Sequence, residues 1–229
     1  MASANRLHGP LDAALHLLDR QVVDCEGLMV CKVDDVELTE YASVPLKVTG
    51  LLAGSAALVR RMSGGDGEWL RNYWLRLGVE QAHREQPFRI GLEDVESLGS
   101  AVRLRVRREG YLRRQGDGRP GVRRRLNDLL GATATGPDGK RLGRVLDVRL
   151  EPDRTPEGPL RVVALIVGKG RPGTLLGYDR TEEQGPWLVN WVVRRLHRHT
   201  GQIPLQDADI DWDGYQVRLH RSPDPLQPA

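Results

Sequence analysis

Two cysteines, one phenylalanine and four lysines are all that the 229 residues contain of those types. Cys25 and Cys31 have five residues between them and lack the paired C-x-x-C spacing that a zinc or redox site offers. Two reduced thiols are therefore expected, with Cys31 partly buried in a strand. Long apolar runs are missing as well. The longest, residues 51–59 (LLAGSAALV), has about half of the roughly 20 residues needed to cross a bilayer and is interrupted by Gly54 and Ser55, so no transmembrane span is expected. The opening stretch MASANRLHGPLDAALHLLDR has no charged head followed by a sustained apolar core and a small-residue cleavage site, which points to a cytoplasmic location. A hydrophobic fraction of 39% beside 28% charged residues excludes the composition of a disordered chain.

Catalytic and metal-binding signatures are equally sparse. No Ser sits in a G-x-S-x-G elbow. GKGRPG, residues 168–173, is Gly-rich without the spacing of a phosphate loop and reads as a connection between a strand and a helix. On a helix, His197 and His199 would point about 200 degrees apart, unsuited to sharing one metal and better placed against the negative end of the helix dipole. The run DADIDWDG, residues 207–214, has the D-x-D-x-D-G opening of a calcium loop in Asp209, Asp211, Asp213 and Gly214. Its twelfth position, where a bidentate Glu is needed, is His220, and YQVRL alternates as a strand where a helix is required. A solvated acidic turn, with Asp side chains bonding local amides, is expected instead. No enzyme, cofactor or metal site follows from these residues.

What the chain does have is a repeat. LLGATATGPDGKRLGRVLDVRLEPD in the second half matches LLDRQVVDCEGLMVCKVDDVELTEY in the first, with Gly27 against Gly139, Lys32 against Arg144, Asp35 against Asp147 and Leu38 against Leu150. KVTGLLAGS then parallels RVVALIVGK, GEWLRNYWLR parallels GPWLVNWVVR, RIGLEDVES parallels QIPLQDADI, and Val102-Arg103-Leu104 parallels Val217-Arg218-Leu219. Each copy reads mostly as strands. DCEG and GPDG are turn sequences with Gly where a positive φ is wanted, and each marks a hairpin. Leu146, Val148 and Leu150 alternate with Asp147 and Arg149, and Tyr215, Val217 and Leu219 with Gln216, Arg218 and His220, the period of a half-buried strand. Residues 162–167 are apolar throughout, which suits a strand covered on both faces.

Several short strands in a unit of under about 110 residues protect their edges best by curling into a small barrel. The sequence therefore predicts a mainly β fold of two small barrels in tandem, over residues 14–107 and 126–221. Residues 108–125 form a basic linker and residues 222–229 a disordered tail.

The second copy, through LLGATATGPDGKRLGRVLDVRLEPD, RVVALIVG and IPLQDADIDWDGYQVRL, resembles the PRC-barrel family. That small β-barrel is shared by the cytoplasmic domain of the photosynthetic reaction-centre H subunit and by the C-terminal half of the ribosome maturation factor that joins the small subunit. The first copy looks like a more divergent member. The resemblance implies two PRC-type barrels in tandem and carries no shared catalytic residue. Neither a membrane anchor nor the maturation factor's N-terminal domain is evident, and the Trp-containing segment is inserted between core strands.

That segment reads as an amphipathic helix in both copies. Leu188, Val189, Val192, Val193 and Leu196 form one broad packing side, while Trp187, Trp191, Arg194 and Arg198 form another stripe. In the first copy Trp69, Tyr73 and Arg76 reproduce the stripe, beside Leu70, Trp74 and Leu77. Such rings can lie against the protein with Arg planes stacked over them. Left exposed, the two ridges are candidates for binding a protein partner, and helices of this kind also suit a membrane surface. Net charge is only +3, yet ten Arg fall within residues 103–125 against Glu109 and Asp117. Arg113, Arg114, Arg123, Arg124 and Arg125 are the candidates for RNA phosphates or an anionic lipid surface, although charge runs commonly serve only solvation and spacing and Arg is used in place of Lys throughout this chain. The reading is a non-enzymatic adaptor for another protein. Alternatives are an RNA or ribosome-assembly binder and a peripheral membrane scaffold, and a homo-oligomer is compatible with each.

Overall fold

The computed structural model describes residues 6–41, 44–54, 87–109, 121–153, 160–169 and 200–226. Among them the chain is mainly β, with two single-turn helices and sheets that curl. In order it forms β1 (Leu11–Asp12), the turn α1 (Ala13–His16), β2 (Gln21–Val23), β3 (Met29–Lys32), β4 (Asp35–Tyr41), β5 (Val44–Ala53), β6 (Phe88–Gly91), β7 (Val95–Leu98) and β8 (Val102–Leu104). There follow β9 (Val122–Arg125), the turn α2 (Leu126–Leu129), β10 (Thr133–Thr135), β11 (Arg141–Pro152), β12 (Leu160–Gly168), β13 (Thr200–Pro204), β14 (Ala208–Asp211), β15 (Gln216–Leu219) and β16 (Asp224–Pro225).

The chain divides into two compact units. The first comprises Met1–His8, His16–Asn127 and Pro152–Arg161, and the second Gly9–Leu15, Asp128–Glu151 and Val162–Ala229. Neither boundary follows the copies read from the sequence. A short segment ahead of each copy belongs to the unit that the other copy builds, residues 9–15 to the second unit and the last residues of the supposed linker to the first.

In the first unit β2 and β3 form an antiparallel hairpin, and β2 lies parallel to β8 with Val22 opposite Val102. Antiparallel β7 completes a sheet in the order β3-β2-β8-β7. β4 pairs antiparallel with β5, β5 with β6, and β9 lies along the other side of β4. In the second unit β10 and β11 form the corresponding hairpin, β10 lies parallel to β15 with Ala134 opposite Val217, and β14 pairs antiparallel with β15. β13 pairs with β12 and with the terminal β16, and β1 lies along β11. A 3-10 turn precedes the penultimate strand of each series, at Leu92–Asp94 and at Leu205–Asp207.

The hairpin turns show why these residues fold this way. Gly27 and Gly139 have φ of 83° and 76°, a region open to glycine at little cost, and their N–H groups donate to Asp24 O and Gly136 O at 3.0 and 2.9 Å. In the first copy Asp24 adds a side-chain brace, Oδ1 accepting from Glu26 N at 3.0 Å and Leu28 N at 2.8 Å. Burial pushes this carboxyl up, but the N–H donors of Leu28, Arg108 and Glu26, with the Arg108 charge, outweigh it and hold it below the ordinary Asp value.

Leucine and valine fill both units. Val22, Val36, Leu38, Val48, Val102 and Leu104 are fully buried in the first, as are Leu11, Val148, Leu150, Leu165, Ile203 and Val217 in the second. Burying a side chain of this size contributes roughly 1.5–3 kcal/mol. The run at residues 162–167 is covered on both faces over Leu165, Ile166 and Val167. At Gly143 there is no room for a side chain, since a Cβ would overlap the backbone carbonyl of Gly168.

Four expectations are corrected. Asp147 and Arg149 do not form a solvent face on β11: they are 1% and 6% exposed, because residues 9–15 lie over them and supply partners. Tyr215 does not continue the buried face of Val217 and Leu219; it sits in the β14–β15 turn at φ 54° and is exposed. Residues 122–125 are a strand, since their backbone groups find a ladder along β4. Asp224 and Pro225 of the tail pair with β13, and Arg221 ties Asp224 at 2.8 Å to the same corner as Asp207 at 2.7 Å.

Candidate functional site

Among the described residues, most buried polar side chains lie where the segment ahead of one copy pairs with a strand of the other. In the second unit the arm is residues 9–15, with β1 antiparallel to β11 in the register Leu11 to Leu150 and Asp12 to Arg149. The α1 turn that follows has N–H groups without intrahelical partners, and Asp147 satisfies them. Its Oδ1 accepts from Ala14 N at 2.7 Å and its Oδ2 from Leu15 N at 3.1 Å, while Oδ1 also accepts from Val148 N at 2.7 Å. Arg149 Nε donates to Asp12 Oδ1 at 2.8 Å, and the two side chains are 8% and 0% exposed. Burial, and then the charge of Asp12, push Asp147 up to about 7, against the pull of the three N–H donors.

In the first unit the same construction recurs with the other arm, residues 121–127. β9 lies antiparallel on β4 with Glu37 opposite Arg125 and Leu38 opposite Arg124. Asp35, the residue that the repeat aligns with Asp147, accepts at Oδ1 from Asn127 N at 3.1 Å and from Val36 N at 2.8 Å. Around buried Glu37 runs a partly buried polar network: Arg89 Nε donates to Glu37 Oε1 at 2.8 Å, Thr49 Oγ1 donates to the same oxygen at 2.7 Å, and Arg89 Nη2 donates to Thr49 O at 2.6 Å. Thr39 Oγ1 lies 2.7 Å from Thr49 Oγ1. Chemically these groups brace strands. Each hydrogen bond to a charged partner contributes about 1.5–3 kcal/mol.

From sequence, Asp35 was an aligned position, and Asp147 and Arg149 were the polar phase of an alternating strand, none of them with a functional role. Asp12, Glu37 and Arg89 were missed, as was the partner of Arg149, because the partners are far apart in sequence. A charged residue in the middle of an apolar β-branched strand was the available signal.

Of the residues named from sequence, Arg123, Arg124 and Arg125 are half-buried on β9, with Arg124 Nε 3.6 Å from Glu40 Oε2. Trp69, Tyr73, Arg76, Trp187, Trp191, Arg194, Arg198, Arg113 and Arg114 lie outside the described residues, as do the two segments expected to be inserted helices, GKGRPG beyond Lys169, and His197 with His199. Asp211 Oδ1 accepts from Gly214 N at 2.9 Å, an acidic turn bonding its own backbone, and His220 Nε2 lies 2.9 Å from Asp209 Oδ2. Among the described residues no cluster of three or more His, Cys, Asp and Glu is arranged to hold a metal ion. Cys25 is exposed and Cys31 half-buried on β3; burial, with the neighbouring Asp34 charge, pushes the Cys31 thiol up to about 11.

Among the described residues the exposed large apolar side chains are Leu28, Met29, Val122 and Tyr215. Leu28 and Met29 adjoin the first hairpin turn, 43% and 52% exposed, where the second copy has Lys140 and Arg141. No helix among the described residues is long and apolar enough to cross a membrane. No family model matches this chain, and no curated protein matches it.

Proposed function

We propose that the chain is a non-enzymatic adaptor built from two tandem PRC-type barrels, each with an inserted amphipathic helix, that holds a protein partner. The observation that carries this reading is the shared pairing series. In both units a hairpin with a positive-φ glycine is followed by a central antiparallel pair, a 3-10 turn and a final strand parallel to the first. The buried polar groups described above are engaged in bracing strands, which suits a binding scaffold. Within the first unit, the exposed Leu28 and Met29 give the partner an apolar foothold that the second unit replaces with Lys140 and Arg141. The Trp69, Tyr73 and Arg76 ridge and the Trp187, Trp191, Arg194 and Arg198 ridge bring the residue types that dominate binding hot spots.

Affinity purification from the native host tests this. A stoichiometric protein is expected with the unaltered chain, and its recovery is expected to fall at least tenfold with Trp69→Ala, Trp187→Ala or Leu28→Ser/Met29→Ser. Recovery unchanged by all three would remove these surfaces from the account.

A second reading, an RNA or ribosome-assembly binder, draws on Arg103 and Arg105, exposed at the start of the Arg run that continues to Arg113 and Arg114. The half-buried setting of Arg123, Arg124 and Arg125 leaves fewer free cations for it. It requires affinity for single-stranded RNA that falls with salt at a slope near 0.7 per neutralised phosphate, and no binding at low salt would end it.

A further inference from the structure

The two arms occupy equivalent slots with opposite charges. In the second unit Asp12 lies opposite Arg149, and in the first Arg125 lies opposite Glu37. The positions correspond. Arg149 and Glu37 each stand two residues after the aspartate that accepts the arm's N–H, and Asp12 and Arg125 each stand two residues before the residue that donates it. The first arm therefore presents an anion to a cationic slot, and the second a cation to an anionic one. Residues directly opposite in an antiparallel pair share a face: Arg149 bonds Asp12 there, while Glu37 stands opposite Arg125 in the ladder and bonds Arg89 of β6.

The wrong pairings differ sharply. The first arm on β4 would bring Asp12 against Glu37. The second arm on β11 would bring Arg125 against Arg149. Asp12, Asp35, Glu37, Asp147 and Arg149 are all buried, where like charges are poorly screened and a lost partner is costly. The slots are otherwise alike, since Leu38 and Leu150 are both fully buried and Asp35 and Asp147 accept the same kind of backbone donor, whereas the arms differ further in Leu11 against Arg124.

We propose that the reversed charge pair is a key that assigns each arm to its slot, so that residues 9–15 dock only on β11 and residues 121–127 only on β4, whether the alternative slot is in the same chain or in a second copy. Discrimination comes from a repulsive element against the wrong partner as much as from attraction to the right one.

Disulfide trapping in the full chain tests the key. In a Cys25→Ser/Cys31→Ser background, Leu11→Cys with Leu150→Cys and Arg124→Cys with Leu38→Cys report correct docking. Leu11→Cys with Leu38→Cys and Arg124→Cys with Leu150→Cys report exchanged docking, within one chain or as a cross-linked dimer. After refolding with a thiol-disulfide buffer, correct pairs are expected to close and exchanged pairs to stay near background. Neutralising the first arm with Asp12→Asn and Arg149→Gln is expected to raise the exchanged Leu11→Cys/Leu38→Cys product at least fivefold. Arg125→Gln, at a half-buried position, is expected to do the same for Arg124→Cys/Leu150→Cys and serves if the first variant does not fold. Equal exchanged yield with and without the charges would overturn the proposal.

Discussion

Asp147 accepts the backbone N–H of Ala14 at 2.7 Å across 133 positions of sequence. Asp35 accepts that of Asn127 at 3.1 Å across 92. Two aspartates aligned by the repeat thus perform one task on two different arms, and the repeat extends from sequence pattern to hydrogen-bond chemistry.

Removing either clamp leaves buried N–H groups without an acceptor. Asp147→Ala and Asp35→Ala are each expected to lower stability by about 2–3 kcal/mol, read from denaturant midpoints at unchanged slope. The Asp147 change is expected to cost more at acidic than at neutral pH, for the reason given next.

The Asp147 carboxyl is raised from 3.8 to about 7 by burial and by Asp12. Between those values the folded chain binds a proton that the unfolded chain has released. Stability contributed by this group is therefore full below about pH 4, declines as pH rises toward 7, and is level above. The ceiling on that decline is about 4 kcal/mol. Asp147→Asn is expected to flatten the slope of unfolding free energy across pH 4–7. An unchanged slope would place the titration elsewhere.

Thiol labelling distinguishes the two cysteines. Cys25 is exposed, whereas the Cys31 thiol is held at about 11 on half-buried β3. Since the thiolate is the reactive form, one equivalent of a thiol reagent is expected to react rapidly at pH 8 and the second at least tenfold more slowly. The fast phase is expected to vanish in Cys25→Ser.

Two glycines of the second unit separate conformational strain from crowding. Gly139 has φ 76° and open space around it, so Gly139→Ala is expected to cost about 1 kcal/mol. Gly143 lies against the backbone of Gly168, which cannot move aside as a side chain would, and Gly143→Ala is expected to cost at least about 2 kcal/mol. Thermal unfolding of the two variants checks the order.

Local chemistry was legible in the sequence, and partnership across distance was not. The turns at Gly27 and Gly139 were readable because four residues contain the whole cause. The parallel pairing of β2 with β8 was not, since about 80 residues intervene. Asp147 and Arg149 look like the wet face of a strand because alternation cannot tell solvent from an arm that brings its own donors and an opposite charge. Val122–Arg125 looks like a linker because an Arg run resembles a solvated segment, although the backbone beneath it can still enter a ladder when β4 offers one. Tyr215 broke its pattern because the β14–β15 turn claims it at positive φ.

The central claim is that β2 lies parallel to β8 in the first unit and β10 parallel to β15 in the second. Inter-strand NOEs in an isotope-labelled sample measure this most directly. Contacts from Val22 to Val102 and from Ala134 to Val217 are both expected. Absence of either, with the hairpin contacts of the same half present, would contradict it.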